Sequence, residues 1–127
     1  MDFSNKTAIS TGAASGMGLL FSQNFTELGG NVVMCDVNEK VLNEKVAEIN
    51  AKNKGRAIGI VCDVRDYDQV CNARDTAVET FGSIDIMANF AGGTARRVFN
   101  VGWEDDFPEV PIEVFDWGLD VNLKGPF

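Results

Sequence analysis

Thr11-Gly12-Ala13-Ala14-Ser15-Gly16-Met17-Gly18 stands between an apolar run, Thr7 to Ser10, and a segment of helical period that begins near Met17. Glycines at a strand-to-helix junction let the backbone turn tightly and approach an anion closely, while the amides and positive dipole end of the helix face it. Gly12, Ala14, Ser15, Gly16, Met17 and Gly18 are therefore candidate contacts for a pyrophosphate, with Gly18 also letting helix and strand pack. With 13 glycines in the chain, three at fixed offsets arise by chance in roughly a tenth of sequences this size, so a turn serving only packing stays open on these letters alone.

Working outward, short runs rich in β-branched residues alternate with longer segments of helical period, the pattern of βαβ units and a parallel sheet. Strands are predicted at Thr7 to Ser10, Asn31 to Cys35, Ala57 to Val61 and Ile84 to Asn89, each nearly continuous in apolar character, as in a sheet covered on both faces. The first helix is predicted from Met17 to Leu28, burying Phe21, Phe25 and Leu28 and stopped by Gly29-Gly30. A second follows the N-cap Asn38 and buries Leu42, Val46 and Ile49. The third opens at Asp66 with Gln69 in a capping-box-like start, buries Val70, Ala73, Ala77 and Phe81, and ends at Gly82. From Ala91 to Pro111 no period survives, and the stretch, with Arg96-Arg97 and Glu104-Asp105-Asp106, reads as a long loop. The two arginines are expected to be solvated partners of the acidic cluster rather than a seat for an anionic substrate. Phe3, Phe99, Trp103, Phe107, Phe115 and Trp117 read as packing residues.

A chain of 127 residues suits one domain, here 1–127. Eleven basic against 19 acidic residues give no electrostatic footprint for nucleic acid or an anionic membrane. No run has the length of a membrane span, and Met1-Asp2-Phe3-Ser4-Asn5 lacks the basic-then-apolar order of a signal peptide. Cys35, Cys62 and Cys71 lie at no metal-ligand spacing, and there is no histidine. A soluble, cytoplasmic chain with free thiols and no metal is the expectation.

The T-G-x-x-x-G-x-G spacing at Thr11 to Gly18 resembles the short-chain dehydrogenase/reductase family, and four further segments agree with it in order. Asp36 ends the second strand, Asp63-Val64 follow the third, Asn89-Phe90-Ala91-Gly92 close the fourth, and Asp120-Val121-Asn122-Leu123-Lys124-Gly125 lie near the end. The resemblance implies an α/β fold, a Rossmann-type doubly wound parallel sheet truncated to strands in the order 3-2-1-4 with flanking helices. It also implies hydride transfer between an alcohol or carbonyl and a nicotinamide dinucleotide, in a homo-oligomer.

Asp36, about twenty residues beyond the glycine turn, is placed to accept hydrogen bonds from the adenosine ribose hydroxyls. That points to NAD, because a 2′-phosphate beside it meets repulsion of about 4 kcal/mol per unit-charge pair at an effective dielectric of 20. Neither the turn nor Val37, also a candidate contact, supplies the Arg or Lys that would offset this. The alternative for Asp36 is that it caps the following helix. Asp63 resembles the residue that bonds the adenine amino group, with Val64 beside it, though local bonding at a strand-to-helix junction explains such an aspartate equally well. Asn89, Ala91 and Gly92 match the family's N-N-A-G turn, from which Phe90 departs by adding apolar bulk.

Asn122 resembles the asparagine of the Asn-Ser-Tyr-Lys tetrad, where it helps organise a water leading to the catalytic lysine. Its companions are missing: the one tyrosine, Tyr67, is followed four residues on by Cys71 rather than lysine, and the last serine is Ser83. The domain is accordingly expected to be incomplete at its C-terminal end and the 127-residue chain inactive by itself, with a bare edge at the fourth strand and unpartnered Val114, Phe115, Trp117 and Leu119. A dinucleotide-binding module without chemistry and an assembly fragment are the alternatives. Substrate identity is not legible.

Overall fold

In the computed structural model, which describes residues 1–52, 54–102 and 109–127 and only the backbone at 96 and 97, four strands form one parallel sheet. They are β1 (Thr7–Thr11), β2 (Asn31–Asp36), β3 (Ala57–Val61) and β4 (Ile86–Asn89), side by side in the order β3-β2-β1-β4. The register sets Thr11 beside Cys35 and Asn89, and Asp36 beside Val61, so the residues that follow the strands gather at one edge.

Side chains alternate across this sheet as strand geometry requires. Ala8, Val32 and Met34 pack on one face with Phe25 of α1 (Gly16–Glu27) and with Leu42 and Ile49 of α2 (Glu39–Lys52). Ile9, Val33 and Cys35 pack on the other with Ala73 and Ala77 of α3 (Tyr67–Phe81). Both faces of the central strands are therefore covered, and each fully buried Val, Met or Leu contributes roughly 1.5–3 kcal/mol. The fold is the doubly wound arrangement that the alternating pattern predicts.

The helix boundaries have local causes. Asn38 accepts the Val41 amide at 3.2 Å and caps α2, and Asp66 accepts the amides of Asp68 and Gln69 to cap α3. Gln69 departs from the capping box: its Oε1 accepts the amide of Asp63 at 2.9 Å, not that of Asp66. Gly29 at φ 91° and Gly82 at φ 87° supply the left-handed stops.

Three expectations are revised. Leu28 caps α1 and is 38% exposed; the stripe that enters the core is Gly18, Ser22, Phe25 and Thr26. Ser22 and Thr26 are not apolar, but each hydroxyl donates back to the carbonyl four residues earlier, at 2.8 and 2.7 Å, so the helix buries them without orphaning a polar atom. The fourth strand begins at Ile86 rather than Ile84, because Asp85 turns its carboxylate onto the Thr7 amide at 2.9 Å and onto Lys6 at 2.7 Å. Within 91–111, Ala95–Val98 forms one turn of helix, α4.

The last helix, α5 (Ile112–Leu119), runs into a π-helical turn, Asp120–Lys124. Val114 is buried while Phe115 and Leu119 are exposed, and among the described residues β4 pairs only with β1. Trp103, the cluster Glu104-Asp105-Asp106 and Phe107 lie outside the described residues, as do the side chains of Arg96 and Arg97.

Candidate functional site

A cavity of about 430 Å³ opens at the carboxyl edge of the sheet, where the strand order reverses from β1 towards β2 on one side and β4 on the other. Gly12, Ser15, Gly16, Met17, Gly18, Asp36, Val37, Asp63, Val64, Ala91 and Gly92 line it, so most residues picked out in the sequence meet around one space.

The glycine turn is fixed by its neighbours. Gly12 has φ 63°, and a Cβ there would stand 2.9 Å from Ala91 Cα, so only glycine satisfies both backbone and space. A Cβ on Gly18 would run into the Gly12 carbonyl, which is the close helix-to-strand approach expected of it. Gly16 is different, with φ 54° and nothing within 4 Å of a Cβ position. Its bare face borders the cavity, a cradle that a side chain would fill. The first intrahelical bond runs from the Leu19 amide to Ser15 O at 3.1 Å. The amides of Gly16, Met17 and Gly18 thus precede the helical ladder, at its positive dipole end, and suit a doubly charged anion.

Asp36 is held at this turn. Its Oδ2 accepts the Ala14 amide and its Oδ1 the Asn38 amide, each at 3.0 Å. Asn38, not Asp36, accepts from the first turn of α2, so the helix-cap explanation of Asp36 fails. Two backbone donors leave each carboxylate oxygen a further lone pair for an outside donor. Ala14 serves the site through that amide rather than by lining the space.

Asp63 is more committed. Its carboxylate takes the Arg65 amide at 3.0 Å and the guanidinium of the same residue through Nε at 2.9 and 3.1 Å and through Nη2. The Arg65 guanidinium holds Asp63 below the usual carboxylate range against the raising effect of burial, and Asp63 in turn raises Arg65. Arg65 lies 5.8 Å over the Trp117 ring, a cation-π contact that ties α5 to the end of β3.

Five lining residues escaped the sequence reading of contacts: Cys62, Arg65, Phe90, Trp117 and Val121. Arg65 carried one local signal, two residues after an aspartate where an Asx-type turn brings amide and carboxylate together. Phe90, noted as a departure, also packs 5.7 Å from Phe21 of α1, so its bulk partly replaces polar bonding by packing.

Asn89 and Asn122 do not line the cavity. Asn89 donates to Pro126 O at 3.4 Å, joining the end of β4 to the end of the chain. Asn122 clasps the loop after β4: Oδ1 accepts the Gly93 amide at 3.0 Å, and Nδ2 donates to Gly93 O and Gly118 O at 3.0 and 2.9 Å. Tyr67 opens α3 on the surface, with Cys71 one turn on.

Comparison with known proteins bears on this geometry. A "Short chain dehydrogenase/reductase dpchG" from Colletotrichum higginsianum is 31% identical over 121 residues, covering 95% of this chain and 42% of that protein. The structure of a short-chain type dehydrogenase/reductase from Mycobacterium marinum superposes with TM-score 0.85 at 30% identity, over 99% of this chain and 47% of that one. A short chain dehydrogenase/reductase from Burkholderia phymatum, solved in complex with NAD, gives 0.79 at 29% identity over 98% and 41%. L-sorbose reductase from Gluconobacter frateurii, solved with NADPH and L-sorbose, gives 0.82 at 23%, over 98% and 44%, and shares the fold alone. The chain thus spans less than half the length of these relatives. The family model described as short chain dehydrogenase matches residues 6–127, so the chain belongs to the short-chain dehydrogenase family.

Proposed function

We propose that this chain is the NAD(H)-binding part of an oxidoreductase that interconverts an alcohol and a carbonyl by hydride transfer. The observation that carries the cofactor preference is Asp36: a carboxylate fixed by two backbone amides at the rim of the cavity, with Val37 and not a cation beside it. On this reading the backbone of Ser15, Gly16, Met17 and Gly18 seats the pyrophosphate, and Asp36 bonds the adenosine ribose hydroxyls. Asp63 and Val64 edge the adenine, while Ala91 and Gly92, with Gly12 behind them, leave room further along, towards Asn89.

A nicotinamide held there supplies or accepts the hydride. What the residues of this chain do is bind, orient and exclude water. Asn122, spent on Gly93 and Gly118, positions the loop after β4 rather than meeting substrate. The proton transfer that must accompany hydride transfer needs an acid/base; the tyrosine, lysine and serine of the family's tetrad have no counterpart within these 127 residues. We therefore assign the redox step to the form of the protein that carries them, a soluble cytoplasmic homo-oligomer acting on a small molecule, and binding to this part.

Titration of the folded chain with NADH and NADPH, followed by energy transfer from its two tryptophans to the dihydronicotinamide, tests the reading. Saturable binding of NADH with NADPH weaker is expected; indifference to NADH, or preference for NADPH, overturns it.

A further inference from the structure

The chain carries the tripeptide Cys-Asp-Val twice, at Cys35-Asp36-Val37 and at Cys62-Asp63-Val64. Parallel pairing of β2 and β3 brings the two copies to the same edge: Cys35 lies beside Ile60, and the Cys62 amide donates to Asp36 O at 3.1 Å. Period-two alternation then turns both thiols to the same face of the sheet. There they pack in one cluster with Ile9, Val33, Ala73 and Ala77, and both border a second cavity of about 180 Å³ under α3. Only Cys62 also borders the larger cavity in front of the strand ends. The two thiols are in hydrogen-bonding contact, which holds Cys62 below and Cys35 above the ordinary thiol range; desolvation and Asp63 act on Cys62 in the opposite sense.

We propose that Cys62 and Cys35 are a peroxide-oxidisable dithiol, with Cys62 attacking from the floor of the cavity and Cys35 resolving. The Cys62 thiolate attacks one oxygen of a hydroperoxide; the S–O bond forms, the O–O bond breaks, and the departing oxygen leaves as water or alcohol after taking up a proton. Cys35 then attacks the Cys62 sulfur; the S–S bond forms, the S–O bond breaks, and the hydroxide takes the Cys35 proton and leaves as water. Two thiols give up two protons and two electrons, which reduce the peroxide to water and a second water or an alcohol. The bridge ties β2 to β3 immediately behind Asp36 and Asp63, so it acts on the two acidic side chains at the cavity rim.

Cys62 borders both cavities, and a molecule seated in the larger one covers the approach from in front of the strand ends. For a dinucleotide this rests on the proposed function. If only the empty form reacts, oxidation slows by the factor by which binding depletes that form, about tenfold at a ligand concentration ten times Kd.

Hydrogen peroxide on the wild-type chain, followed by peptide mass spectrometry and thiol titration, tests the pair. A 35–62 cross-link with loss of two of the three free thiols is expected, Cys71 remaining reduced. C71S should behave as wild type, while C35S should halt at a Cys62 sulfenic acid trapped by dimedone. Oxidation of Cys71 first, or of Cys62 without a cross-link to Cys35, overturns the proposal. A parallel arm with NADH reads protection against binding measured separately. Binding without protection overturns the access route; no binding sinks the dinucleotide reading and leaves the cross-link to decide the dithiol.

Discussion

Replacing Asp36 by asparagine removes one charge and keeps the shape, and its effect on cofactor choice follows from where the carboxylate sits. A 2′-phosphate about 4 Å away meets repulsion of about 4 kcal/mol per unit-charge pair at an effective dielectric of 20, and about 1 kcal/mol if water screens it fully. Asp36 is half-buried, so the discrimination it supplies lies between these limits, or between about fivefold and several hundredfold in affinity. Asparagine also weakens the bond to the ribose hydroxyls of NADH, because a charge-assisted hydrogen bond becomes a neutral one, a difference of about 1 kcal/mol. Both changes act in one direction: the ratio of the NADPH Kd to the NADH Kd should fall at least tenfold. The Ala14 and Asn38 amides both donate to Asp36. In Asp36→Asn one of them faces an NH2 group, at a cost of about 1–3 kcal/mol in stability. The ratio, read on a single sample by the fluorescence titration, cancels that folding penalty. An unchanged ratio would refute the reasoning and would move the discrimination to the other charged pair lining the cavity, Asp63 and Arg65.

Gly18→Ala drives a methyl into the Gly12 carbonyl and should lower stability by about 1–3 kcal/mol, visible as a reduced Tm. Gly16→Ala meets no atom, so it should cost only the about 1 kcal/mol of its left-handed backbone yet weaken NADH binding more than tenfold, measured by titration. For Asp63, whose folded value lies below its unfolded one, the stabilisation by Arg65 is fully present above the unfolded carboxylate value and lost as pH falls through the folded one. Arg65→Met should therefore be less stable than wild type by about 0.5–1 kcal/mol at neutral pH, with the gap in urea midpoints closing below the ordinary carboxylate pKa of 3.8; a pH-independent gap would assign the loss to the Trp117 contact instead. The side of β4 that has no strand partner among the described residues, where Met87 is half exposed, should make the chain self-associate, and Met87→Lys should reduce this in sedimentation runs; a wild-type monomer across the concentration series would contradict it.

Most of the site was legible because a parallel sheet gathers its strand ends. Once Thr11, Asp36, Asp63 and Asn89 are each recognised as strand-end residues, topology alone brings them to one edge. What sequence could not supply was how side chains share partners. Nothing in the letters says that Asn122 is occupied by Gly93, or that Arg65 reaches beyond its neighbour Asp63 to Trp117, because those two contacts join segments far apart in the chain. The error at Leu28 had another origin. Apolar spacing looks for large side chains on the buried face, whereas α1 lies close to the sheet at Gly18 and buries the small Ser22 and Thr26 beside Phe25.

That closeness makes the hydroxyl stripe a gauge block. Ser22 and Thr26 line no part of the cavity, but both are fully buried on the face of α1 that meets the sheet, so a change in their width would alter the height of the helix and hence where its first amides stand. A single extra methyl at Ser22, a full turn from Gly18, would act as a shim under the whole helix and lift the anion seat away from Asp36. Calibration of the front of the molecule is thus held in its interior, at positions that no inspection of the ligand's neighbours would single out.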